Sequence, residues 1–335
     1  MNTHGIFGHE GQIGKCESLR ASGSIPQAMF FSGVSGIGKK LVAERFLNSL
    51  FCEDNNPPCL KCRACLQVRN DTFPDMIVLR PDEKGKIPLG SNDKREEGSV
   101  RWLIDRLSKK SLSGRYGVLI DGVNRISIAG QNALLKTIEE PPENTHCILI
   151  ASHRSQVLPT ILSRCVEIHF YPLPESSVAE ILENKGSPPD TARLIAGLSG
   201  GSAEIALLLA DPEIRTGIFN LCGEISDYLG RGVPLSLELN VVQKKTGAEN
   251  LINILLNTYR ALLHCSIHGK EPDPALKSLE VRDTEKLKKL MKILLAERRW
   301  LPNNLNIRFS LKGMLYAMDE LDFDGIPEKN YAMEL

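Results

Sequence analysis

The densest chemical signal in the chain is Gly33-Val34-Ser35-Gly36-Ile37-Gly38-Lys39-Lys40. The spacing is that of G-x-x-x-x-G-K-[ST]. Its glycines let backbone N–H groups turn inward and cradle phosphate, while the lysine, here Lys39, reaches the outer phosphates. The last position should offer a hydroxyl to Mg²⁺. Lys40 stands there instead, and an ammonium has no lone pair with which to ligate a cation. The loop is expected to hold phosphate and to be poorly equipped to use it.

Two further groups of residues have types and spacing suited to chemistry. Val118-Leu119-Ile120-Asp121 reads as a buried strand ending in a carboxylate, which after a phosphate loop suggests a Walker B strand supporting Mg²⁺. The next position, where an ATPase of this type places a Glu to polarise water, is Gly122. Cys52, Cys59, Cys62 and Cys65 are spaced C-x₆-C-x₂-C-x₂-C. Four thiolates at that spacing can enclose Zn²⁺ tetrahedrally and leave no position for water, so the expected ion is structural. Cys16, Cys147, Cys165, Cys222 and Cys265 have no metal spacing and read as small buried or half-buried side chains.

Elements that would position these groups follow from periodicity. Ala28 to Ser32, Met76 to Leu79, Gly117 to Asp121, Cys147 to Ala151 and Val166 to Phe170 read as short strands. Lys39 to Phe51, Val100 to Lys109 and Gln131 to Glu140 read as helices, the last stopped by Pro141-Pro142. Ser99 is a plausible cap for the second helix. Short apolar strands alternating with helices imply an α/β domain with a parallel sheet covered on both faces. Residues 81 to 99, charged and punctuated by Gly and Pro, read as an exposed loop. After Pro172-Leu173-Pro174 the strands stop. A small helical unit to about residue 215 contains Gly200-Gly201. A longer helical pattern follows, with runs at Leu251–Leu256, Thr284–Arg299 and Leu305–Met318. The expected domains are 1–172, with the cysteine knuckle at about 52–65, then 173–215 and 216–335.

Composition narrows the class. Lysine plus arginine and aspartate plus glutamate each number 41, so net charge is zero. That argues against whole-chain attraction to nucleic acid, though not against a local basic patch. No stretch approaches ~18 consecutive apolar residues, so no membrane span is expected. The N-terminus lacks a signal-peptide pattern. Nine cysteines, four of them clustered, suit a reducing, cytoplasmic setting and a metal better than disulfides.

With these residues in view, the chain resembles the bacterial clamp-loader ATPase-like subunits of DNA polymerase III. The resemblance runs in order through Phe7-Gly8-His9-Glu10, the phosphate loop, the four-cysteine knuckle and the Asp121 strand. It continues through Asn132-Ala133-Leu134-Leu135-Lys136-Thr137-Ile138-Glu139-Glu140-Pro141-Pro142, Leu158-Pro159 and Ser163-Arg164-Cys165. It covers roughly the first half, and Asn303-Asn304-Leu305-Asn306-Ile307-Arg308-Phe309 adds a weaker signal at the end. It implies an AAA+ P-loop domain with an inserted zinc knuckle, a small helical lid and an all-α collar for oligomerisation. It also implies partners: gamma/tau and delta subunits in a hetero-oligomer, the sliding clamp (beta), and primed DNA reached through the complex.

Two kinds of member fit, the ATP-hydrolysing motor (gamma/tau) and its delta-prime relative, and the departures separate them. Lys40 replaces the Mg²⁺-binding hydroxyl, and Gly122 replaces the catalytic Glu. The later Gly-Ser-x-Arg signature, whose Arg senses the γ-phosphate, is Gly201-Ser202-Ala203-Glu204. Ser152 or His153 stands near the polar sensor position. These losses imply a delta-prime-like subunit without ATPase activity of its own, with ATP or ADP bound weakly or not at all at Gly33, Gly36, Gly38, Lys39, Lys40 and Asp121. Arg164, on the surviving triplet, would act on ATP held by a neighbouring subunit. Rival readings are a working ATPase with an unusual loop, and a zinc-knuckle nucleic-acid binder using Lys61, Arg63 and Arg69. The second rival lacks an aromatic stacking platform.

Overall fold

The computed structural model describes residues 5–91, 96–234, 247–279 and 283–300. The apolar runs become strands β1 (Ala28–Ser32), β2 (Met76–Leu79), β3 (Tyr116–Asp121), β4 (Thr145–Ala151) and β5 (Val166–His169). All pair in parallel, and among the described residues they form one sheet in the order β2-β3-β4-β1-β5. α1 (Glu10–Ala21) precedes β1, and between the strands run α2 (Lys39–Phe51), α3 (Arg63–Arg69), α4 (Val100–Leu107), α5 (Ile128–Glu139) and α6 (Pro159–Leu162).

Strand order fixes which helix covers which face. From β1 the chain crosses past β4 and β3 to reach β2, then returns stepwise through β3 and β4 and passes β1 to reach β5. Right-handed crossovers in opposite directions place their helices on opposite faces. Accordingly Val42, Phe46 and Leu47 of α2 pack with Ile13 and Cys16 of α1 on Met29, Phe31, Ile148 and Ile150. On the other face, Val100 and Leu103 of α4, Leu134 and Ile138 of α5 and Ile161 of α6 pack on Phe30, Val118, Ile120 and Leu149. Alternate residues of β1 to β4 serve the two cores, which is why these strands read as apolar runs, whereas β5, at the sheet edge, buries only Ile168 of its four residues. The direction of winding reverses at β1, so the phosphate loop leaves the sheet at a switch point, where such sheets hold ligands.

The expected strands and helices form within a few residues of their anticipated ends. α5 begins earlier, at Ile128, because the Ser127 hydroxyl accepts the Gly130 N–H at 3.2 Å and caps it. The 81–99 segment departs from the exposed loop expected of it. Ile87 is buried and bridges to Ile126, and Leu89 packs on the same core. Ser99, also buried, accepts the Trp102 N–H at 3.2 Å and starts α4. Residues 92–95 lie outside the described residues.

The chain divides into two compact units, Met1–Val178 with Gly201–Glu204, and Ala179–Gly200 with Ile205–Leu335. Past β5 come α7 (Glu175–Asn184), α8 (Pro189–Leu198), α9 (Ala203–Ala210), α10 (Pro212–Arg231), α11 (Ala248–His268) and α12 (Thr284–Trp300). Within the second unit, the buried Tyr259 of α11 donates its hydroxyl to the Cys222 carbonyl of α10 at 2.9 Å. Ser226 donates to the Leu279 carbonyl, also at 2.9 Å. The Leu305–Met318 helix and the Asn303–Phe309 stretch lie outside the described residues, as do the other parts of 216–335 at 235–246, 280–282 and 301–335.

Candidate functional site

β1 delivers the phosphate loop and α2 receives it. Gly33, Gly36 and Gly38 all take positive φ, at 139°, 75° and 102°, conformations in which a side chain would strain the turn. At Gly36 space is also limiting. A Cβ there would fall 2.9 Å from a Glu204 carboxylate oxygen and closer still to the Ser202 hydroxyl. The Glu204 N–H donates to the Gly36 carbonyl at 3.1 Å. The sequence places Glu204 where the resemblance expects Arg, and in the fold this carboxylate lies against the loop.

The adjacent lysines have different partners. Lys39 is 6% exposed and donates to the carbonyls of Gly33, at 2.6 Å, and Val34. Burial pushes its ammonium down to about 8, and the Asp121 and Glu204 carboxylates limit the fall. Lys40 crosses to the end of β3, where its Nζ lies 3.2 Å from Asp121 Oδ2. Asp121 is followed by Gly122 with φ 98° and its N–H on the Ile150 carbonyl at 3.0 Å. No carboxylate stands at the position after Asp121. Ser152, just past β4, is half-buried and His153 is exposed.

His9 clamps the loop from the start of α1. It caps α1 in a left-handed conformation, is buried, and its Nε2 lies 2.7 Å from the Ile37 carbonyl, which can only accept. Its ring meets Phe170 edge-on at 5.0 Å. Burial lowers its pKa, partly offset by the hydrogen bond to Ile37. The Phe7-Gly8-His9-Glu10 motif therefore acts here by bracing the phosphate loop.

The four cysteines converge. The Sγ atoms of Cys52, Cys59, Cys62 and Cys65 all lie within 4.8 Å of one another. A tetrahedral Zn²⁺ with bonds of about 2.3 Å would space its sulfurs by about 3.8 Å, so small side-chain adjustments close the set. Backbone N–H groups of Cys59, Cys62 and Cys65 point at the sulfurs of Cys52, Cys59 and Cys62 at 3.3, 3.3 and 3.4 Å. Donors aimed at sulfur favour thiolate. Hydrogen bonds from the Glu53 and Cys65 backbones draw Cys62 down to about 6, whereas burial pushes Cys65 up. The residues fit a structural zinc. A small core of Phe51, Ala64 and Val68 with Phe73 and Met76 ties the knuckle to the end of α2. Cys16, Cys147 and Cys222 are buried thiols pushed up to about 12, and Cys165 and Cys265 are half-buried.

Arg164 lies between α6 and β5. It pairs with Glu139 at 2.7 Å and donates to the Thr160 carbonyl at 2.8 Å, with its side chain 39% exposed. β5 enters the sheet with Val166 beside Met29 and leaves with His169 beside Ser32. Arg164 therefore sits on the side where the strands begin, and the phosphate loop on the side where they end. Four strand residues, roughly 13 Å, separate those sides.

Two groups escaped the sequence reading. Buried Gln131 donates to the carbonyls of Ile126 and Gln156, each at 3.1 Å, and accepts the Leu158 N–H at 2.9 Å. It thereby staples the start of α5 to the turn leading to Arg164. Ser32, at the end of β1, donates to Glu167 at 2.7 Å and lies 2.9 Å from His169 Nδ1. Nothing in their spacing announced either contact, since the partners are brought together by strand order alone.

A parallel sheet with a glycine-rich phosphate loop at its switch point and an acidic strand end facing the first turn of the following helix defines a P-loop α/β protein. The family described as DNA polymerase III, delta subunit, matches residues 8–174. The DNA polymerase III subunit delta' of Bacillus subtilis is 25% identical over 311 residues, covering 88% of this chain and 92% of that protein. The delta' subunit of Pseudomonas aeruginosa is 33% identical over 193 residues, covering 56% of this chain and 57% of that protein. The tau subunit of Escherichia coli is 33% identical over 221 residues, covering 63% of this chain and 33% of that protein. The chain belongs to the DNA polymerase III clamp-loader subunit family, in which delta' and gamma/tau subunits are relatives.

Proposed function

We propose that this chain is a delta-prime-like subunit of a clamp loader. It would work in the cytoplasm in a hetero-oligomer with gamma/tau and delta subunits, helping to place the sliding clamp (beta) on primed DNA during replication. The reading assigns 1–172 to an AAA+ domain, 173–215 to a lid and 216–335 to a collar that joins the oligomer. Cys52, Cys59, Cys62 and Cys65 hold a structural Zn²⁺. The chain does not hydrolyse ATP itself; Gly33, Gly36, Gly38, Lys39, Lys40 and Asp121 form a degenerate nucleotide site.

One observation carries the reading. Arg164 is surface-exposed on the side of the sheet opposite its own phosphate loop, so its guanidinium serves a phosphate held by another subunit. Guanidinium stays charged and forks onto phosphate oxygens. Glu139, its present partner, holds the side chain ready in one orientation. The test uses the assembled complex with primed DNA. Arg164→Ala is expected to slow turnover at the adjacent motor site by about 10³-fold or more, with assembly intact. Unchanged turnover at that site would sink the trans role.

A second reading, a motor of the gamma/tau kind, is favoured by the intact Gly33, Gly36, Gly38 and Lys39. ATP turnover by the purified chain alone, abolished by Lys39→Ala, would select it.

A further inference from the structure

The site at the end of β1 carries a cation of its own. Lys40 Nζ lies 3.2 Å from Asp121 Oδ2, with the two side chains 37% and 29% exposed. The pair bridges the first turn of α2 and the end of β3, the two places from which a P-loop protein addresses a divalent ion. Mg²⁺ asks for near-ideal octahedral oxygen donors at about 2.0–2.1 Å. Here one of the two protein donors is replaced by a group with three N–H and no lone pair, and the other already faces that group. A second, divalent cation on Asp121 would sit beside a fixed ammonium. The residues present do not fit Mg²⁺.

They do fit a phosphate ligand that brings no metal. Lys39 and Lys40 supply two positive charges, and the turned backbone of Gly33, Gly36 and Gly38 supplies N–H groups at the start of α2. On the other side of the balance stand Asp121 and the Glu204 carboxylate lying against Gly36. Glu204 competes with an incoming anion for the loop.

We infer that the Lys40 ammonium is the resident cation of this site, taking the place of a divalent ion on Asp121, so that a nucleoside diphosphate binds here without metal. The inference deepens the proposed function by naming the ligand of the degenerate loop, and it rests on that reading only in taking the loop as a phosphate site. A P-loop filled in this way has a nucleotide as a structural ligand and no ion with which to drive turnover.

The experiment measures ADP binding to the full chain by calorimetry, in Mg²⁺ and in EDTA, for the wild type, Lys40→Ser and Glu204→Gln. The wild type is expected to bind equally, within about twofold, in both conditions, and Glu204→Gln to bind more tightly and remain indifferent to metal. Lys40→Ser restores the hydroxyl and frees Asp121, and is expected to bind about tenfold more tightly in Mg²⁺ than in EDTA. Wild-type binding that requires Mg²⁺ overturns the inference. So does a Lys40→Ser variant that ignores Mg²⁺, and so does absence of ADP binding in all three proteins. Each of these outcomes leaves the Arg164 test, which reads turnover on a neighbouring subunit, free to succeed or fail by itself.

Discussion

Lys39 and Lys40 are neighbours with opposite electrostatic situations, and the difference is measurable at the level of one residue. Lys39 is buried, with two carbonyls for partners and its ammonium held at about 8. Its folded pKa lies below the ordinary 10.5, so between those values the unfolded chain binds more protons than the folded one. Stability contributed at this site therefore rises as pH climbs through that window, and the cost of the buried charge is fully present below pH 8. Each tenfold change is worth roughly 1.4 kcal/mol, so the swing is on the order of 3 kcal/mol. The measurement is the urea-unfolding stability of wild type minus that of Lys39→Met, from pH 7 to 10.5. The difference should be flat to about pH 8 and then rise in favour of wild type. A flat difference throughout would mean the ammonium is solvated in solution.

At the scale of elements, the cysteine knuckle is a local device bolted to the end of α2. Its own core is Phe51, Ala64 and Val68 with Phe73 and Met76, while the sheet is held by its two separate clusters. Removing zinc with a strong chelator, or substituting Cys62→Ser, is expected to raise hydrogen exchange across residues 52–70 by about tenfold or more, with β1 and β4 unchanged. Metal analysis should find one zinc per chain beforehand. Loss of protection in β1 would mean the knuckle supports the sheet itself. The knuckle and the sheet were legible for the same reason: short-range spacing encodes both. Four thiols within fourteen residues mark a cluster that could hold a metal, and apolar runs mark β1 to β4 as strands covered on both faces. What was not legible depends on distance in the chain. α1 escaped because Glu10–Ala21 buries only Ile13 and Cys16, too few for a helical stripe. Ile87 hides in a charged segment, and only its bridge to Ile126 gives it a place in the core. The Lys40–Asp121 pair spans 81 positions, so the sequence identified both residues without revealing that they meet.

For the whole molecule, the chain passes between the two units at three points, and one of them falls between adjacent glycines, Gly200 and Gly201. Both take positive φ, at 59° and 76°, and each is packed within its own unit. A Cβ on Gly201 would lie 2.6 Å from Pro172 Cβ and 2.7 Å from the Leu173 carbonyl oxygen, whereas one on Gly200 would lie 2.6 Å from the Asn257 amide nitrogen. Backbone cannot retreat as a side-chain amide can. Gly201→Ala should therefore cost more than the ~1–2 kcal/mol of left-handed strain alone, while Gly200→Ala should cost about that strain. The two substitutions should also act on different parts of the chain. The Leu173 N–H donates to the Gly201 carbonyl at 3.0 Å, three residues before Glu204 reaches Gly36. Loosening Gly201 is thus expected to raise hydrogen exchange in the phosphate loop and β1 and leave α11 protected. Gly200→Ala is expected to loosen α11 around Asn257 and leave β1 protected. Exchange mapped by mass spectrometry on the full-length variants decides it. If either substitution raises exchange equally in β1 and α11, the chain opens as one cooperative body, and the phosphate loop cannot be adjusted independently of the helical unit that follows it.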